Sequence, residues 1–141
     1  MRYLSILFFS LVLAACGSTE EPKEKVIIST WPNGNPKVEH IQLKGDTVKV
    51  FNFDQDGRVK TEGKMHGETR EGKWYTYYPN GFKWSLNSFQ AGEKHGEYKT
   101  WYPNGELNIR GHFSLGSSTG KWEFFDSTGV LTKEFDVTPQ N

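Results

Sequence analysis

The chain reads as all-β: an antiparallel meander of tandem β-hairpin repeats that forms one elongated, twisted sheet. Three observations predict this. Glycines stand at positions 34, 57, 81, 105 and 129, in steps of 23, 24, 24 and 24 residues, and so regular a period marks an array. The clearest copies are preceded by runs of six or seven residues rich in aromatics and threonine, the composition of a strand. No segment after residue 26 shows a helical period. Repetition builds extended surfaces more readily than a single asymmetric catalytic pocket.

The first fifteen residues stand apart. Met1-Arg2-Tyr3 is a short basic start, Leu4 to Leu13 is almost wholly apolar, and small residues follow at Ala14 and Ala15. This is the pattern of a secretory signal peptide, too short for a permanent membrane span. Leu13-Ala14-Ala15-Cys16 resembles the lipobox of bacterial lipoproteins and holds the only cysteine. The resemblance implies a diacylated Cys16 as mature N-terminus. Two acyl chains anchor stably where one holds weakly. Residues 17–25 are polar, charged and apolar-free, a solvated tether. Gly17 after the cysteine resembles the outer-membrane sorting pattern of Gram-negative lipoproteins. The expected organisation is a signal over 1–15, lipidated Cys16 and tether over 16–25, a repeat domain over 26–137, and a tail over 138–141.

Within the domain the clearest unit is Gly72-Lys73-Trp74-Tyr75-Thr76-Tyr77-Tyr78-Pro79-Asn80-Gly81. It recurs as Gly96–Gly105 and, with a degenerate turn at Ser127-Thr128-Gly129, as Gly120–Gly129. Residues 48–57 are a worn copy, and Trp31-Pro32-Asn33-Gly34 survives from an earlier one. Asn-Gly pairs favour two-residue hairpin turns, which place Gly34, Gly57, Gly81, Gly105 and Gly129 at positive φ. Return strands are expected over 82–89, 107–113 and 130–135, with second turns over 90–96 and 115–120.

This spacing resembles the MORN-repeat family in its bacterial variant form, whose pattern runs Gly-x-Trp-x-x-Tyr-Tyr, Asn-Gly, a second strand and a Gly-rich turn. Residues 72–81 and 96–105 match it almost position by position, and the likeness extends over about residues 30–135. It implies stacked hairpins and roles in scaffolding, protein binding and membrane association. Bacterial members are often labelled antitoxins.

Aligned repeats give three columns: Val50, Trp74, Tyr98, Trp122; then Phe53, Tyr77, Trp101, Phe125; then Asp54, Tyr78, Tyr102, Asp126. Columns one and two are three residues apart, so they face opposite ways unless a bulge intervenes. Column two is the expected outward strip. Tyr77, Trp101 and Phe125 are its candidate partner-binding rings, with Phe89 or Phe113 filling the gaps between them.

Other chemistry is poorly marked. Removing Arg2 with the signal leaves 16 basic against 17 acidic residues, a formal charge of −1, which does not favour nucleic acid. Asn52-x-Asp54-x-Asp56-Gly57 resembles half a calcium loop but has Gly63 at the twelfth position, so it reads as a turn. His40, His66, His95 and His112 lack metal-ligand spacing. The expectation is a non-catalytic module without metal or cofactor, lipid-tethered in the cell envelope, in the outer membrane of a Gram-negative bacterium. It would bind a protein or peptide, in one version as an antitoxin or immunity protein. The alternative is an envelope glycan, since aromatic strips also stack on sugars.

Overall fold

The computed structural model describes residues 24–138. The signal segment, Cys16, the tether up to residue 23 and the tail from residue 139 lie outside the described residues. Ten strands follow one another: β1 (Lys25–Thr30), β2 (Pro36–Gln42), β3 (Thr47–Phe53), β4 (Val59–His66), β5 (Thr69–Tyr77), β6 (Lys83–Gln90), β7 (Glu93–Trp101), β8 (Leu107–Ser114), β9 (Ser117–Phe125) and β10 (Leu131–Val137). They form one open antiparallel sheet in chain order, with β1 and β10 at its edges.

The periodic glycines close five turns of one geometry. In the third, Tyr78 N–H donates to Phe82 C=O and Gly81 N–H donates to Tyr78 C=O. The loop therefore has three residues, Pro79-Asn80-Gly81, and only the glycine is at positive φ, at 86°. This is the type I turn with a glycine bulge, not the expected two-residue turn, which needs two positive φ angles. In three of the five the first loop residue is a proline, at 32, 79 and 103, whose ring fixes φ near −65° and suits the first position of a type I loop; the other two begin with Gln55 and Ser127, where the Asp54 and Asp126 carboxylates accept N–H groups of the loop. The primed two-residue turns lie at the opposite ends of the strands, at Ala91-Gly92 and Leu115-Gly116, where both residues have positive φ. They are tighter than the spans expected over 90–96 and 115–120. Gly96 and Gly120 lie inside β7 and β9, and with Gly72 in β5 they carry positive φ where the register with the preceding strand slips.

Within β5 the pleat continues from column one to column two: Trp74, Tyr75 and Thr76 oppose Asn87, Leu86 and Ser85 in turn, and the register slip before the Tyr77–Lys83 pair leaves its extra residue, Trp84, on the return strand. Columns one and two therefore lie on opposite faces, here called the core face and the strip face. On the core face Val50, Trp74 and Trp122 are 6%, 8% and 8% exposed, although no second layer covers them. Cover comes from neighbours in the same sheet. A Cβ added at Gly63 would stand 2.2 Å from the Trp74 ring, and one at Gly111 would stand 2.4 Å from the Trp122 ring. Each indole thus lies flat across a glycine of the preceding return strand. Where the middle repeat has Tyr98, the opposing residue is Asn87. Rings then continue the layer: Tyr98, Phe113 and Trp122 have centroids 5.3–5.5 Å apart.

The three-residue loops are tied to one another. Asn80 accepts a bond from Phe82 N–H within its own turn and donates to Pro103 C=O in the next. Asn104 repeats this toward Ser127, and Asn33 toward Gln55. Column three adds a second tie, Tyr78 and Tyr102 hydroxyls donating to Trp101 and Phe125 carbonyls, with the Trp31 indole reaching Phe53 in the same way. Asp54 and Asp126 cannot donate. They accept backbone N–H groups of their own turns instead.

Candidate functional site

Column two closes four successive hairpins. Phe53, Tyr77, Trp101 and Phe125 are the last residues of β3, β5, β7 and β9, all half-buried on the strip face. Each opposes a return-strand residue just past a register slip: Val59, Lys83, Leu107 and Leu131 respectively. These residues, not Phe89 and Phe113, lie between the rings. Phe89 shares its parity with Ser85 and Asn87, which oppose Thr76 and Trp74, so it is on the core face, and Phe113 follows Ile109 there. Successive rings are two strands apart, ~9.5 Å, and do not stack directly.

Two hollows flank Tyr77. One, about 420 Å³, lies between Tyr77 and Trp101, over Phe82 and Lys83. The other, about 450 Å³, lies between Tyr77 and the second turn and includes Arg58, Val59 and Glu62. This second hollow stands where the loop ladder is interrupted. Asp54 and Asp56 replace the tyrosine and asparagine of the turns at 78–81 and 102–105, so no side chain there is a donor to the next loop. Asp56 pairs with Arg58 at 2.6 Å instead.

Between the hollows the Tyr77 hydroxyl donates to Glu62, which also pairs with Lys49 at 2.8 Å. Partial burial pushes the Glu62 carboxyl up, but the bonds from Lys49 and Tyr77, with the charges of Lys49 and Lys83, outweigh it and leave it below the usual carboxylate range. Tyr77 moves upward, through desolvation first and the neighbouring Glu62 carboxylate second. At neutral pH this pair is therefore a fixed acceptor and its donor rather than a proton-transfer couple. The rest of the strip face is an ion-pair lattice. Glu97 sits between Lys73 and Lys99, and Glu123 pairs with Arg110 at 2.5 Å.

The remaining sequence candidates disperse. Asp54 and Asp56 belong to their turn, while Asn52 bonds Thr61 on the core face. His66 meets Thr47 across a strand pair, and the His95 ring accepts from Leu115 N–H; His95 is a strand residue rather than a turn residue. Among the described residues no group of three or more His, Cys, Asp or Glu is placed to hold a metal ion, and no helix is long and apolar enough to cross a membrane. The turn glycines Gly34, Gly57, Gly81, Gly105 and Gly129 all have φ between 80° and 90°. Sequence reasoning missed the Arg58–Glu62 hollow; its signal was the loss of Asn at position 56 and of Tyr at position 54.

The family model described as MORN repeat variant matches residues 70–81 and 94–114, the segments that hold β5 with its turn and the β7–β8 hairpin. The match supports a MORN-repeat protein, built on an all-β array that is typically non-catalytic and often involved in binding. Comparisons with curated proteins and with solved structures yield no match.

Proposed function

We propose that this protein is a membrane-tethered, non-catalytic repeat module that captures a protein or peptide partner on its strip face, in one version as an antitoxin or immunity protein. The observation that carries the reading is the row Tyr77, Trp101 and Phe125: one half-exposed ring per repeat, hollowed on both sides of Tyr77. Such a row offers several rigid anchors to an extended partner, and central aromatic anchors dominate contacts of this kind. Acylated Cys16 would hold the module at the envelope, on the outer membrane of a Gram-negative cell.

Two variants test it. Trp101→Ala should weaken recovery of the partner from detergent-solubilised membranes, equivalent to ~2 kcal/mol or more, with little change in melting temperature. A variant that melts far earlier while retaining its partner returns Trp101 to a structural role. Cys16→Ser should move the protein from the detergent phase to the aqueous phase, and unchanged partitioning would refute the tether.

A further inference from the structure

Charge is segregated between the two faces. By the register, the strand carboxylates Glu39, Glu62, Glu71, Glu93, Glu97, Glu123, Glu134 and Asp136 all lie on the strip face. The core-face strand residues Arg70, Lys94 and Lys133 have no carboxylate within ion-pair distance among the described residues. Each lies over rings instead. The Arg70 guanidinium is 4.7 Å from the Trp74 ring centre and 5.3 Å from that of Phe89. Lys94 is 4.9 Å from Phe113 and 5.7 Å from Tyr98, and Lys133 is 5.3 Å from Phe135. Arg70 and Lys94 are 24 residues apart and occupy one position in consecutive repeats. They share a hollow of about 260 Å³ whose polar lining is Thr61, Thr76 and Asn87. On the same face the Thr100 hydroxyl and the Trp122 indole N–H are buried without a protein partner.

We propose that this groove binds an acidic polysaccharide, with uronate carboxylates on Arg70 and Lys94 and sugar hydroxyls on Thr61, Thr76 and Asn87. Charge selects the ligand: a face with cations and no strand carboxylates attracts anions, and guanidinium on a ring is a pre-oriented fork for a carboxylate. The lining selects a glycan over an acidic peptide: beside its two cations the hollow presents the Thr61 and Thr76 hydroxyls and the Asn87 amide, groups that match the closely spaced hydroxyls of a sugar ring. This site is on the face opposite the ring strip and does not rest on the partner-binding reading.

The test is calorimetric titration of the full chain with a hexagalacturonate, against neutral cellohexaose, poly-glutamate and phosphatidylglycerol vesicles. Hexagalacturonate should bind, more weakly as salt rises. Arg70→Gln and Lys94→Gln should each weaken it about tenfold, while Lys73→Gln on the other face leaves it unchanged. Arg70→Lys keeps the charge and the cover over Trp74 but loses the bidentate fork, so it should bind more tightly than Arg70→Gln and less tightly than the parent, which separates recognition from folding. Equal binding of cellohexaose, tighter binding of poly-glutamate or of vesicles, or full binding by both Gln variants would each overturn the proposal.

Discussion

Gly111 and Trp122 form a lock that can be opened and remade. In Gly111→Ala the new methyl would stand 2.4–2.6 Å from three Trp122 ring atoms, against an ordinary contact of 3.4–4 Å. The ring must therefore shift by about 1 Å or more, or rotate off the strand. Shifting it presses on Tyr98 and Phe113, whose centroids are 5.5 and 5.3 Å away. Overpacking of this sort costs ~1–3 kcal/mol, and losing the indole's cover altogether costs ~3–5 kcal/mol, so ~2–4 kcal/mol is expected. For a domain of this size that lowers the melting temperature by roughly 8–15 °C. The Trp122 indole N–H has no protein acceptor, so the loss measures packing and not a broken hydrogen bond. The middle repeat supplies the repair, since Tyr98 faces Asn87 at the equivalent site. Gly111→Asn alone should destabilise as the alanine does, and Gly111→Asn with Trp122→Tyr should recover much of the loss. Urea unfolding of both singles and the double yields the coupling energy, expected at ~1–3 kcal/mol. A neutral Gly111→Asn, or a double variant at the sum of its singles, would show that the indole does not depend on the glycine.

Three further outcomes follow from the turns and the Glu62 cluster. Gly105 sits at φ 90°, so Gly105→Val should cost ~1–3 kcal/mol, while Glu106→Val at the next residue should change little in the same melt. Leu115 holds φ 45° with its side chain 67% exposed, so Leu115→Asn should stabilise by ~0.5–1 kcal/mol; a loss instead would mean the leucine has a contact on this surface. Because the Glu62 carboxyl is held below its ordinary value, its contribution is present above the unfolded carboxylate pKa and disappears as pH falls through the folded one. Glu62→Gln should therefore be less stable than the parent at pH 7 and converge with it in acid, below the usual carboxylate range; a constant gap across that titration would remove ionisation from the account.

Much of the architecture is legible from local pattern. The glycine period, the aromatic runs and the proline–asparagine–glycine loops specify hairpins because turn chemistry and pleat act over a few residues. The loop type was legible too, had the proline been given its weight: Pro79 and Pro103 cannot take the positive φ of a primed turn. Gly63 and Gly111 also carried a signal, since glycine inside a strand marks a close approach. What approaches was not legible, because the ring that lies on Gly111 is eleven residues away and reaches it only through the β8–β9 register.

The sequence by itself determined that this chain is an array of hairpins, where its turns fall, and that columns one and two must be opposed if no bulge separates them. These are consequences of short-range sterics, the same in every copy. Only the tertiary structure decided which column is covered, that the Asp54–Asp56 turn breaks the loop ladder, and that strand carboxylates gather on one face, away from Arg70, Lys94 and Lys133. Those facts depend on pairing register, and register is set by where each bulge falls across neighbouring strands. A slip of one residue would exchange the two faces, so nothing short of the assembled sheet could assign them.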